Sequence, residues 1–274
     1  NHYMLLAQAK VFKLCHEMVP NAKIGPAPNI SVNYPHTSKP EDNLATLYVN
    51  AVRNWLYLDI AVWGKYNPVA MDYITKKGFK IEITEEDMQI LREGKPDFIA
   101  FNYYNTATIE AYSESEAATK GDQQITLGEP GFFKGVANEF LPFTDFGWQI
   151  DPLGFRTTMM EIYSRYHLPL LITENGLGAY DKVEEDGSIN DDYRIEYLRQ
   201  HISELKRAVE AGVEVMGYCP WSAIDLISTH QGFLKRYGFI YVNRDNDDLK
   251  DLKRLKKKSF FWYNNLIKEN AESL

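Results

Sequence analysis

Apolar positions along this chain keep two spacings, one helical and one strand-like, and the two alternate. From His2 to Met18 the residues Leu5, Leu6, Ala9, Val11 and Phe12 form a helical stripe, closed by Pro20-Asn21. Ala22 to Ile30 then reads as a strand, broken by Pro26 and Pro28 at its exit. Pro40 to Trp63 predicts a long helical stretch with Leu44, Leu47, Val52, Trp55 and Ile60 inward. Shorter helices are expected over Pro68–Lys76 and Thr84–Arg92, the second opened by a Thr84 cap and the acids Glu85, Glu86 and Asp87. Asp97 to Tyr104 is a buried strand, and Ala111 to Phe133, rich in Ser, Glu and Gly, reads as a surface excursion. A helix over Pro152–Tyr166 leads into an apolar run, His167 to Ile172, that ends on Glu174. Asp191–Ala211 is a helix stopped by Gly212, Val213–Trp221 a further strand, and Leu249–Lys268 a closing basic helix.

Four buried strands, about 22–30, 97–104, 168–174 and 213–221, thus alternate with helices. A complete (β/α)8 barrel needs eight strands, whereas four fit a small doubly wound sheet. No glycine-rich phosphate fingerprint follows any of them, which leaves a dinucleotide fold unsupported. The chain of 274 residues is 45% hydrophobic and 25% charged, ordinary for a globular protein. A net charge of −8 disfavours nucleic acid and anionic membranes as partners. The basic residues Lys250, Lys253, Arg254, Lys256, Lys257 and Lys258 have Asp247, Asp248 and Asp251 as neighbours and read as a solvated helix face. Cys15 and Cys219 are far apart and lack any C-x-x-C spacing, so buried free thiols and a cytoplasmic setting are expected. His2, His16 and His36 have no partner arranged for a metal, and neither a metal nor a cofactor is expected.

Glu174 is the first candidate for chemistry. A strand rich in Leu and Ile needs no acid at its tip for packing, and burying an ionised carboxylate is costly unless neighbours pair it. In an α/β barrel the C-terminal strand tips carry the catalytic groups. The plainer reading makes Glu174 a cap for the turn Asn175-Gly176. Asn102 and Tyr104 close the preceding strand and could equally be a polar strand end with aromatic packing. Lys235-Arg236-Tyr237, taken alone, is a solvated basic turn after Gly232, and Trp148 fits a core position.

Taken together these motifs are similar to those of glycoside hydrolase family 1, the β-glucosidase-like (β/α)8 barrels. Ile172-Thr173-Glu174-Asn175-Gly176 resembles the family's nucleophile motif, and Asn102-Tyr103-Tyr104 its Asn-x-Tyr, whose tyrosine hydrogen-bonds the nucleophile and favours its charged form. The resemblance implies that residues 1–274 are the C-terminal part of one barrel domain, roughly strands five to eight. His2 to Ala7 resembles the helix segment that follows the family's acid/base motif, Asn-Glu-Pro, which occurs nowhere in this sequence. The chain begins at Asn1 without a methionine. The expectation is therefore a fragment without its N-terminal half, inactive alone and associated with that half or with itself. Trp221 takes the place of the tryptophan beneath the sugar, and Trp148 of one lining the leaving-group side.

Ordinary β-glucosidases of the family carry Glu-Trp seven and eight residues beyond that first tryptophan, and here Ser228 and Thr229 stand instead. Removing the glutamate removes a repulsion against a 6-phosphate, and Lys235 and Tyr237 add a cation and a donor. Ser228…Lys235-x-Tyr237 resembles the phosphate loop of 6-phospho-β-glycosidases. Thr229, where galactoside-acting members keep tryptophan, leans toward 6-phosphoglucosides. The implied function is retaining hydrolysis of 6-phospho-β-D-glucosides. A 6-phospho-β-galactosidase and a non-catalytic sugar-phosphate-binding half-barrel stay open as alternatives.

Overall fold

The computed structural model describes residues 1–115, 128–272 and 274 of the chain. Helix α1 (His2–Met18) buries Leu5, Leu6, Ala9 and Phe12. Val11 is half exposed, contrary to expectation, because it lies about 100° round the helix from Phe12. The stretch Pro40–Trp63 is helical throughout but not one α-helix. A π turn (Ala51–Trp55) separates α2 (Pro40–Asn50) from α3 (Leu56–Trp63), which stops at Gly64 in the left-handed region. The wider turn shifts the face, so a single 3.6-residue period run through all 24 positions places Leu44 and Leu47 wrongly: both are half exposed, and Ala45 and Val49 are buried instead. Helix α4 (Pro68–Lys76) is capped by Asn67, and α5 (Glu85–Glu93) by the expected Thr84 in a box with Asp87.

The sequence strand 22–30 is not a regular strand. Asp97, Ala100 and Asn102 donate their N–H groups to the carbonyls of Ile24, Pro26 and Pro28, so the segment lies beside the sheet. The residues whose own N–H groups would complete that ladder are Pro26 and Pro28, which have none. Only Ile30 donates back, to the Asn102 carbonyl at 3.1 Å. A short strand β1 (Asn33–Pro35) follows and pairs in parallel with β3 (Ala107–Glu110), just after β2 (Ile99–Tyr103). Residues 116–127 of the expected excursion lie outside the described ones. Of its flanks, residues 113–115 and Gly131 are exposed, as expected, whereas Tyr112 and Phe133 are buried, and β4 (Gly128–Glu129) and β5 (Phe133–Val136) extend the small sheet from β3.

Helix α6 (Pro152–Tyr166), β6 (Leu170–Asn175), α7 (Asp192–Glu210) and β7 (Val215–Tyr218) fall within a few residues of their expected bounds. They build a parallel sheet in the order β2-β6-β7 with α6 and α7 as crossovers. Its core packs Ile99, Phe101, Tyr103, Leu170 and Ile172 against Phe155, Met159 and Ile162 of α6. At such burial each large side chain contributes about 1.5–3 kcal/mol. β7 is a sheet edge rather than a buried strand: Met216 is 53% exposed, Cys219 is exposed and Cys15 half-buried, against the expectation of buried thiols. The closing helix is also shorter than expected. Lys250 and Leu252 take positive φ in the turn between β8 (Ile240–Val242) and β9 (Arg254–Lys256), and α8 spans only Lys258–Lys268. Among the described residues no helix is long and apolar enough to cross a membrane.

Candidate active site

The C-terminal ends of β2, β6 and β7 lie side by side, which brings Tyr104, Glu174 and Trp221 together. The β2–β6 register runs Phe101↔Ile172 and then Asn102↔Glu174, so Thr173 is an extra residue on β6. A bulge of this kind re-aims the side chains beyond it. Here Thr173 Oγ1 donates to Asn102 Oδ1 at 2.7 Å, and the Tyr104 hydroxyl donates to Glu174 Oε2. Burial first, and then the Glu174 carboxylate, push the Tyr104 hydroxyl far above the usual tyrosine range, so it stays a donor. The turn-cap reading of Glu174 gives way to this pairing.

Asn175 ties the three strand tips. Its Nδ2 donates to the Tyr103 carbonyl at 3.0 Å and to the Tyr197 hydroxyl at 3.1 Å, and its Oδ1 accepts from the Tyr218 hydroxyl at 2.7 Å. Its backbone carbonyl accepts from Trp221 N at 2.9 Å. The next residue has to be glycine: a Cβ on Gly176 would lie 2.1 Å from the Trp221 carbonyl oxygen. Through that close approach Trp221 stands beside the Glu174 strand.

From Trp221 the chain loops out and returns. Ser222 N donates to the Tyr237 carbonyl, Phe239 N to the Ser222 carbonyl and Asp225 N to the Ile240 carbonyl, which lays 222–225 beside 237–240. Ser228 and Gly232 exchange backbone hydrogen bonds at 2.9 and 3.0 Å around the tip that carries exposed Thr229. Ser228, Lys235 and Tyr237 are all buried. Burial drives the Tyr237 hydroxyl up to about 12, against the opposing hydrogen bond with Ser228 and with the Glu174 charge adding to the rise. Tyr237 and Lys235 are neighbours in space as well as in sequence, the Lys235 Nζ lying 5.6 Å from the Tyr237 ring centre.

Lys235 is 0% exposed, which excludes a solvated turn. Its Nζ lies 3.6 Å from the Trp148 ring centre, 4.9 Å from Phe146 and 5.6 Å from Tyr237, a set of cation–π contacts. Gly178 makes room for the stem, since a Cβ there would meet Lys235 Cγ at 2.4 Å. Trp148 also packs edge-on to Tyr104 at 5.3 Å, so its ring sits between Tyr104 and Lys235.

Sequence reasoning missed what stands behind this loop. Arg236, between Lys235 and Tyr237, exchanges backbone hydrogen bonds with Ala179 and is buried like its neighbours. Its side chain bonds Asp225 Oδ2 at 2.9 Å and the carbonyls of Val242 and Arg244. Lys257, expected on a solvated face, is fully buried between Asp181 and Asp225, and burial, with the Arg194 charge, presses its ammonium below the usual lysine range. Arg194 pairs Asp181 at 2.8 Å and Asp191 at 3.0 Å and bonds the Leu177 carbonyl. Three acids and three cations thus lock the loop after β6 and the start of α8 onto the Lys235–Tyr237 segment. The available signal was lone charges in apolar runs, Asp225 in Ala-Ile-Asp-Leu-Ile above all. The remaining histidines singled out, His2, His16 and His36, each pair with one acid: Asp87, Asp97 and Glu110. Among the described residues no cluster of three potential metal ligands forms.

The sequence profile described as Glycosyl hydrolase family 1 matches residues 1–272. An aryl-phospho-β-D-glucosidase of Bacillus subtilis, BglC, is 47% identical over all of this chain and 59% of its own length. A 6-phospho-β-glucosidase of Dickeya chrysanthemi is 42% identical over all of the chain and 57% of its own, and a 6-phospho-β-galactosidase of Staphylococcus epidermidis 34% over 59% of its own. Among solved structures, a family 1 β-glucosidase from Thermotoga maritima superposes with a TM-score of 0.84 at 30% identity, covering 98% of this chain and 56% of that one. The chain spans less than three fifths of the length of these relatives.

Proposed function

The chain belongs to glycosyl hydrolase family 1, and from that premise we propose that it supplies the nucleophile and the phosphate-recognising half of a retaining 6-phospho-β-glucosidase. Its fold is that of about half a (β/α)8 barrel of this family, and we assign its parallel strands to the second half, roughly strands five to eight. The observation that carries the reading is the pairing of Tyr104 with Glu174 beside buried Ser228, Lys235 and Tyr237, with serine where a sugar-binding glutamate would repel phosphate.

In this reading Glu174 attacks the anomeric carbon while the aglycone oxygen leaves, taking a proton from a second carboxylic acid. Water, deprotonated by that same group, then cleaves the glycosyl ester and regenerates Glu174. Retaining chemistry needs that second carboxyl about 5–5.5 Å from the first. The Asn-Glu-Pro glutamate that would serve is not among these residues, so we assign it to a preceding segment of the barrel. Trp221 supports the sugar, and Asn102 with Trp148 lines the cleft. Ser228, Lys235 and Tyr237 meet the 6-phosphate, Lys235 supplying charge already desolvated and held in place. Thr229, and the higher identity to phospho-β-glucosidases than to the phospho-β-galactosidase, support the gluco configuration. No cofactor takes part.

The test compares kcat/KM of the full-length parent protein on an aryl 6-phospho-β-glucoside and on the unphosphorylated glucoside. A preference of at least ~100-fold for the phosphorylated substrate is expected, since a site built around a polar group rejects its absence strongly. Equal use of both, or preference for the plain glucoside, would overturn the phosphate assignment. A full-length protein that binds glucose 6-phosphate and hydrolyses neither would favour a binding module.

A further inference from the structure

Helix α7 carries a buried hydroxyl that the reaction above does not use. Tyr197 is 3% exposed, and its ring stacks on His201, four residues on, with centroids 3.9 Å apart. The hydroxyl accepts from Asn175 Nδ2 at 3.1 Å and donates to the Tyr104 carbonyl at 3.3 Å. Asn175 follows Glu174 in β6, and Tyr104 is the residue whose side chain bonds Glu174. One hydroxyl therefore touches the neighbour of one member of the pair and the backbone of the other.

The sheet itself does not fix that relation. The β2–β6 register shifts between Phe101 and Asn102, and the last paired residue of β2 is Tyr103. Tyr104 stands one residue beyond the ladder, where its carbonyl would otherwise lack this donor. We propose that Tyr197 is a positioning residue: it holds the Tyr104 backbone against Asn175 so that the Tyr104 hydroxyl meets the Glu174 carboxylate.

Helix α7 is itself held on this face. Arg194, three residues earlier, is locked into the buried ion cluster. His201 Nδ1 donates to the Tyr197 carbonyl at 2.7 Å, which fixes the ring that backs Tyr197. The Tyr197 ring has little room to follow a moving loop, so its hydroxyl is a fixed reference for both strand tips. The inference rests on reading Glu174 as the nucleophile, not on the identity of the sugar.

Tyr197→Phe keeps the stacked ring and removes only the hydroxyl. In the full-length protein it should lower kcat about 10-fold on whichever β-glucoside the wild type hydrolyses, the effect of one misplaced hydrogen bond. KM should stay within about twofold, because the groups that meet the sugar are untouched. His201→Phe serves as the packing control: it removes the histidine and leaves the hydroxyl. A wild-type kcat in Tyr197→Phe overturns the proposal, as does an equal fall in kcat in His201→Phe at matched loss of Tm. Should Glu174→Gln remain active, the nucleophile assignment and this proposal fall together. A wild type that prefers an unphosphorylated glucoside removes only the phosphate assignment, and the comparison then runs on that substrate.

Discussion

Lys235 combines full burial with three aromatic rings around its ammonium, and a cation so placed is desolvated before any ligand arrives. Lys235→Ala in the full-length protein should weaken a 6-phosphorylated inhibitor by about 1.5–3 kcal/mol, the range for hydrogen bonds to charged groups. The unphosphorylated analogue should change little, and competitive inhibition constants for the pair check it. Equal losses for both would make Lys235 a structural residue. His201 offers a second test at this scale. Burial pushes its imidazole down to about 4, whereas a free histidine titrates near 6.5. Between those values the unfolded chain binds a proton that the folded chain does not, so stability rises with pH across the window. Roughly 3 kcal/mol should be lost as pH falls from 6.5 to 4, at about 1.4 kcal/mol per unit. His201→Phe should flatten that part of the Tm–pH curve. Glu174, Tyr104, Ser228 and Lys235 are legible in the sequence as candidates through their resemblance to family motifs, and the structure pairs the Tyr104 hydroxyl with Glu174. Tyr197, Arg236 and Asp225 are not legible there, since their parts depend on which way a helix face or loop side chain turns.

Among the elements, the loop that carries Ser228, Lys235 and Tyr237 has little regular structure to hold it. The ion cluster of Asp181, Asp191, Asp225, Arg194, Arg236 and Lys257 takes that part. Removing Lys257 leaves three buried acids against two cations, an uncompensated buried charge that costs about 3–5 kcal/mol. Lys257→Met should therefore lower stability by that amount in urea unfolding. It should also weaken phosphate binding more than binding of the plain sugar, because the Asp225–Arg236 pair loses its tie to the start of α8. A Lys257→Met protein as stable as the wild type would contradict the cluster's role. The sequence located α6, β6 and α7 well, where apolar periodicity and Gly or Pro punctuation agree. It failed where a proline pair removed donors at residues 26 and 28, where a π turn interrupted the period at Ala51–Trp55, and where a charged stretch hid a hairpin before α8.

At the scale of the molecule, the parallel sheet ends on β7 with Met216 exposed, and the outer face of α1 shows Tyr3, Met4, Leu14 and Met18 to solvent. An open strand edge and apolar faces both favour association. With relatives nearly twice as long, the expectation is that this chain does not persist as a dilute monomer and gains hydrolytic activity only with the remaining barrel segment. Light scattering on the chain, with and without that segment, checks this; a monodisperse monomer would contradict it. Whether Glu174 is the nucleophile of a phosphate-selecting retaining enzyme is decided by trapping. The full-length protein is incubated with a 2-deoxy-2-fluoro-β-glucoside 6-phosphate bearing a good leaving group, digested and analysed by peptide mass spectrometry. One glycosyl ester is expected on the peptide containing Glu174, absent in Glu174→Gln and not formed by the unphosphorylated reagent at equal concentration. Label on another carboxylate, or faster labelling by the unphosphorylated reagent, would contradict that assignment.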